Sequence, residues 1–258
     1  MKLKGISLFD DLGKIKNKDG KMIKPFSVYR SSHLSKMSEK TEQKLISKYH
    51  VAHVCDFRTD EELERFPELE HSSIKHYFLP ALDKEQNTII TKETRMPVLK
   101  KITYEEGGAI IHMHHLYHNI YTSPMAWKAY RSFFDVLLKA KDGEAVVFHC
   151  TQGKDRTGVA LLLFLSALDV GEKTIEKSYM KYNRMTRAFR FWVRVGMNLF
   201  VSPRLALNLD RIISARRVYI QKTIQTIKDE YGGMKNYLNN IIGVSDEEIK
   251  QLKLKYLM

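Results

Sequence analysis

A cysteine and an arginine six positions apart, Cys150 and Arg156, bracket the segment His149-Cys-Thr-Gln-Gly-Lys-Asp-Arg-Thr-Gly158. Five intervening residues can curl a loop around one tetrahedral oxyanion, with successive backbone N–H groups turned inward and the positive end of a following helix behind them. Gly153 permits the tight path that such a loop takes. Arg156 can place two parallel hydrogen bonds on a phosphoryl group, a geometry that a lysine lacks. The same positive surroundings favour the thiolate of Cys150 and make it a nucleophile towards phosphorus. Thr157 is placed to donate its hydroxyl to that sulfur when it leaves in a second step. A nucleoside-triphosphate loop is excluded, because that motif needs Gly where Phe148 stands and Ser or Thr where Asp155 stands.

A phosphoester's leaving group needs a proton, and two aspartates compete to supply it: Asp155 within the loop and Asp56 at the end of a neighbouring strand. Asp56 has a second reading, as the partner that orients Arg58 or the loop. The loop residues Thr151, Gln152, Gly153, Lys154 and Thr157, with Asp56 and Arg58, form the expected substrate-binding set. His112, His114, His115 and His118 have spacings at which a helix can offer two imidazoles to a metal. No acidic ligand stands at metalloprotease spacing beside them and Tyr117 intervenes, so a surface or lid helix is the preferred reading, and no metal or other cofactor is expected. Cys55 and Cys150 are the only cysteines, too few for a disulfide framework or a zinc site. Cys55 could trap an oxidised Cys150, but strand alternation turns it away from the face that Asp56 occupies, so a buried inert thiol is the default.

These groups need a scaffold, and the pattern supplies one. Short apolar runs at Ser27 to Arg30, Val51 to Phe57, Tyr77 to Pro80 and Ala145 to His149 read as strands. Ser38 begins a capped helix that runs to Tyr49, and Thr59 with Glu62 has capping-box spacing just past the second of these strands, whose end carries the polar residues Asp56 and Arg58. Residues from about 84 to 124 read as a helical insertion or lid. Met125 to Ala140 is a helix by its apolar spacing, and Thr157 to Leu168 is apolar enough for a helix buried on every side. Beyond Lys173 the pattern is helical to the end, broken at Gly232-Gly233 and restarted at Ser245. Met180, Met185 and Met197, among Phe189, Phe191 and Trp192, read as core or as the apolar face of a lid. The run from Arg184 to Arg190 reads as a solvated helix face, or as a face that meets anionic lipid. The whole predicts one α/β unit over residues 1–258, a mostly parallel central sheet flanked by helices with a helical C-terminal half.

Composition narrows the partners. Forty-three Lys and Arg against thirty Asp and Glu give a net charge of +13, which attracts phosphorylated substrates, nucleic acid or an anionic membrane face. The loop selects phosphorylated substrates from that set, and no nucleic-acid partner is expected. Gly158 to Leu168, the longest uncharged apolar stretch, is about half of the roughly 20 residues needed to span a bilayer. Met1 to Lys18 is charged where a signal peptide has its apolar segment, so a cytoplasmic location is expected.

The segment His149-Cys-Thr-Gln-Gly-Lys-Asp-Arg-Thr-Gly158 resembles the HCxxGKDRTG loop of the bacterial tyrosine phosphatase family, within the cysteine-dependent phosphatase superfamily. Tyr29-Arg-Ser-Ser-His-Leu34 is similar to the family's YRSGxL, Asp56-Phe-Arg58 to its DLR, and Tyr231-Gly-Gly through Tyr237-Leu to its YGS...YL segment. Leu8-Phe-Asp-Asp-Leu-Gly-Lys14 matches NFRDLGG only in part, departing at Leu8, Asp10 and Lys14. The resemblance implies the cysteine-phosphatase fold and metal-free hydrolysis through a phosphocysteine on phosphotyrosine, phosphoserine or phosphoinositides. It also implies Asp155 as the acid, and Lys154 as a reader of a second phosphate. Two other readings stand beside it: a basic phosphoprotein- or phospholipid-binding module that keeps the cradle without turnover, and an inositol polyphosphate phosphatase of the same fold. Rhodanese-type sulfur transfer also uses a loop cysteine but has no need of the Arg-Thr-Gly continuation.

Overall fold

The computed structural model describes residues 3–67, 73–82, 107–200 and 203–258. Its strands are β1 (Phe9–Asp11), β2 (Val28–Ser31), β3 (Val51–Asp56), β4 (Lys75–Phe78) and β5 (Ala145–His149). They pair in the order β1-β2-β5-β3-β4, parallel throughout except for the antiparallel edge strand β1. β5 lies at the centre, and its residues Ala-Val-Val-Phe-His are all buried. Val146 and Phe148 enter one core, while Ala145 and Val147 enter a second on the opposite face. A strand apolar on both sides can sit only between two covering layers, as its sequence requires.

The two layers are unequal. On the smaller side, helix α1 (Glu39–Ser47) lays Leu45 over Phe9, Tyr29, Val54 and Val147. On the other, α3 (Gly108–Thr122), α4 (Pro124–Lys139), α5 (Arg156–Ala167), α6 (Glu172–Met185) and α9 (Arg217–Tyr231) bury most of the apolar side chains. α5 carries RTGVALLLFLSA, and every residue but Ser166 is buried. Gly158 lets it approach α6, since a Cβ there would lie 2.9 Å from the Tyr179 ring. The helix predicted to be buried on all sides is therefore found one residue from its expected start. A short helical stretch, Met234–Asn236, and a wide turn, Tyr237–Ile242, lead to the last helix, α10 (Asp246–Tyr256), which opens on the Ser245 capping box.

The protein is α/β with a mostly parallel sheet and a helical C-terminal half, as the sequence predicts. One strand is not foreseen, and α3 takes a place in the core. β1, three residues long, gives no strand signal of its own and joins the edge through Phe9↔Ser31. Of the stretch read as a helical insertion or lid, the described part is helical: Met113, Tyr117, Ile120 and Tyr121 of α3 are buried in the main core, and residues 83–106 lie outside the described residues.

Parallel pairing sets Ser31, His149 and Asp56 side by side at the carboxyl ends of β2, β5 and β3. The loops that follow all leave on one side, the place where open α/β sheets build their ligand sites.

Candidate active site

Cys150 to Asp155 form the loop from β5 to the first turn of α5, and Arg156 is the first residue of that helix. Gly153 has φ +72°, and a Cβ there would run into the Ser31 carbonyl, so the loop can press against the end of β2 only with glycine at this point. The loop is pinned from both sides. His33 N–H donates to the Thr151 carbonyl (3.2 Å), Phe57 N–H donates to the His149 carbonyl (2.9 Å), and the Tyr182 hydroxyl donates to Gln152 (3.3 Å). A cavity of about 380 Å³ opens above it, lined by Cys150, Thr151, Gln152, Lys154, Asp155 and Arg156. Glu62, Arg65 and Phe66 line one side, Met113, Leu116 and Ile120 of α3 another, and Leu82 and Ile212 complete it.

Arg156 is held by a carboxylate and a backbone carbonyl. Its two terminal nitrogens reach both oxygens of Glu62 at 2.5 and 2.8 Å, and Nη1 also donates to the Phe57 carbonyl (3.2 Å). Glu62 accepts a further bond from the Thr151 hydroxyl. Burial alone would push the Glu62 carboxyl up, but the Arg156 charge and the bonds from Arg156 and Thr151 outweigh it and hold it at about 2. For Arg156, burial works against the charge, and the Glu62 carboxylate more than restores it, raising its pKa. Glu62 also closes the capping box with Thr59 at the start of α2 (Asp60–Arg65). The sequence showed only that second role; the helical N3 spacing gives no sign that the same carboxylate reaches an arginine 94 residues away.

Asp155 precedes α5, where a carboxylate usually caps the helix, yet its side chain makes no cap bond. It lies 3.4 Å from Lys154 Nζ and faces Tyr117, whose ionisation it opposes after burial itself. The Tyr117 and Tyr179 hydroxyls are 2.6 Å apart and both are held neutral by burial and by the Asp155 charge. This tyrosine pair escaped sequence reading, since its members stand on α3 and α6. Lys154 is nearly fully buried, and its ammonium donates to the Ile212 carbonyl near the end of α8 (Pro203–Ile213). Thr157 lies buried behind the loop, and its hydroxyl has no hydrogen-bond partner among the described residues.

Asp56 and Arg58 lie outside the pocket lining. Arg58 is fully buried and grips Asp56 through Nε (2.8 Å) and Nη2 (2.7 Å), while its Nη1 donates to the Phe66 carbonyl (2.8 Å). Asp56 Oδ1 also accepts the Arg58 backbone N–H at 3.0 Å and lies 3.6 Å from His149 Nδ1. The pair fixes the β3 end beside the loop, where the Phe57 carbonyl accepts from Arg156. Cys55 is buried in the main core, and burial followed by the Asp56 charge raises its thiol pKa far above the ordinary value. No group of three or more His, Cys, Asp or Glu able to hold a metal occurs among the described residues, the histidines of α3 included.

A family model described as tyrosine phosphatase family matches residues 1–258. The chain belongs to the tyrosine phosphatase family. A protein of Cupriavidus necator whose name assigns it provisionally to the tyrosine-protein phosphatases is 27% identical over 253 residues, 98% of this chain and 86% of its own length. The triple specificity protein phosphatase PtpB of Mycobacterium tuberculosis is 22% identical over 255 residues, 90% of this chain and 91% of its own. The pocket of this tyrosine phosphatase brings together the side chains of Cys150, Asp155 and Arg156 on one loop and the first turn of its helix. Asp10, one of the positions departing from the family's amino-terminal motif, pairs with buried Arg30 (3.3 Å) and with Lys181. That segment therefore ties β1 to β2 and α6.

Proposed function

We propose that this chain hydrolyses phosphomonoesters through a phosphocysteine at Cys150. The Cys150 thiolate attacks phosphorus; the P–S bond forms as the P–O bond to the leaving group breaks, and Asp155 delivers its proton to the departing oxygen. Water then attacks the phosphocysteine and gives its proton to Asp155, and the sulfur leaves as thiolate, aided by a hydrogen bond from the Thr157 hydroxyl. Arg156 holds two equatorial oxygens, and the loop amides of Thr151, Gln152, Gly153 and Lys154 carry the charge that builds up on them. Charge stabilisation that needs no rearrangement is the main catalytic gain, and the observation that carries this reading is the Glu62–Arg156 pair beside Cys150.

Its substrates are phosphotyrosine and phosphoserine proteins, phosphoinositides, or both, in line with the triple specificity named for PtpB. Lys154 would turn from the Ile212 carbonyl to a second phosphate on an inositol ring. Turnover of para-nitrophenyl phosphate, then of phosphopeptides, phosphoinositides and inositol polyphosphates, tests the reading. Activity that persists with chelators and stops with vanadate supports it; binding of all these ligands without turnover would leave a phosphate-binding module instead. Lys154→Ala should raise KM for phosphoinositides much more than for a phosphorylated phenol, with the difference shrinking as salt rises. Equal losses on both would reduce Lys154 to loop structure.

A further inference from the structure

α7 (Arg187–Phe200), paired with α8 in a hairpin, turns its large aromatic side chains away from the core, while α8 keeps Ala206 and Ile213 buried. Trp192 is 69% exposed and Leu199 is 72% exposed; seven residues apart, they lie on one stripe of α7. Phe189, one turn before Trp192, Phe191 and, on α8, Leu207 are each more than half exposed. Solvated aromatic side chains in such number mark a surface that meets something apolar. Arg187 and Arg194, also exposed and seven apart, flank Phe191 on the adjoining stripe. Residues 187–213 contain five arginines and one acid, Asp210, which is turned inward to Arg190 (2.8 Å) and Arg216 (3.6 Å).

We propose that the α7–α8 hairpin docks this protein on an anionic membrane surface, with Phe189, Trp192, Leu199 and Leu207 in the interface and Arg187 and Arg194 on the lipid phosphates. Aromatic and aliphatic side chains in one stripe beside arginines, with no outward acid, are the chemistry of an interfacial helix. A second copy of the chain is disfavoured as occupant, because two hairpins rich in arginine on molecules of +13 repel each other. The hairpin is also joined to the pocket: Ile212 of α8 lines it and accepts from Lys154. Docking would therefore hold the pocket mouth beside a lipid-borne phosphate. That consequence rests on the phosphatase reading; the docking itself does not.

The test uses the full chain with vesicles of phosphatidylcholine alone and of phosphatidylcholine with phosphatidylserine. Sedimentation should carry the protein down with the anionic vesicles and not with the neutral ones, and tryptophan emission should shift to the blue. Trp192→Ser with Leu199→Ser should lower the partition about tenfold or more, and Arg187→Gln with Arg194→Gln about as much, the latter only on anionic vesicles. Circular dichroism and para-nitrophenyl phosphate turnover should match the wild type in both pairs. Absence of partition, or partition indifferent to Trp192 and Leu199, overturns the proposal. Self-association abolished by the same substitutions would also overturn it in favour of a second copy. A wild type that binds vesicles but turns over no phosphoester would sink the phosphatase reading and leave this one standing.

Discussion

The central residue-scale relation is the grip of Glu62 on Arg156. Below its ordinary value, at about 2, the Glu62 carboxyl contributes stability that is fully present above the unfolded value near 4.5 and is lost as pH falls towards 2. That difference amounts to about 3 kcal/mol. Acid unfolding should show it: Glu62→Gln should be less stable than wild type at neutral pH by about this amount, and the two should converge near pH 2. Because Gln keeps the shape but not the charge, Arg156 should also be less well aimed, lowering kcat by about tenfold to a hundredfold. A neutral-pH melt equal to wild type would show the pair contributes nothing. Asp155→Asn should lose the basic limb of the pH profile and be slowed most on substrates with poor leaving groups. Equal slowing on good and poor leaving groups would move the acid elsewhere. Cys55, with its thiol pKa raised by burial, should be no help to an oxidised Cys150: after peroxide and then thiol reductant, Cys55→Ser and wild type should recover equally. Poorer recovery in the variant would restore the trap.

At the scale of elements, whatever is local in sequence was legible and whatever is assembled across the chain was not. The β5–loop–α5 unit, both capping boxes and the Gly232 break each depend on neighbours within a few positions, and each stands within a residue or two of its expected place. Glu62 with Arg156, Tyr117 with Tyr179 and Lys154 with Ile212 join residues 58 to 94 positions apart, and no periodicity reports such pairings. β1 is too short for an alternation to register and exists because β2 offers it an edge. α7 could be read as core or as a lid's apolar face from its pattern alone, since periodicity gives a face and not its direction; the structure turns that face outward. The packing of α5 on α6 gives a prediction of its own. Gly158→Val should overpack the Tyr179 ring and cost about 1 to 3 kcal/mol, visible as a lower melting temperature. An unchanged melt would show that α6 can yield at that point.

Across the whole molecule, a charge of +13 surrounds a pocket whose acids are few and committed. Association with multiply charged anionic substrates should weaken as salt rises from low to physiological concentration, while kcat on a neutral-tailed phenyl phosphate changes little. Salt-independent KM values for both would show that the field does not reach the pocket. On the proposed mechanism, the order of the sheet, the buried α5 and the pinned loop all serve one sulfur, and a covalent label tests it directly. Acid-quenched turnover of a radiolabelled phosphate ester, followed by peptide mapping, should place the label on Cys150 in the wild type. Cys150→Ser and Arg156→Ala should each lose at least about a thousandfold in turnover. Turnover that persists in Cys150→Ser, or rapid hydrolysis that leaves no label on Cys150, would contradict the account.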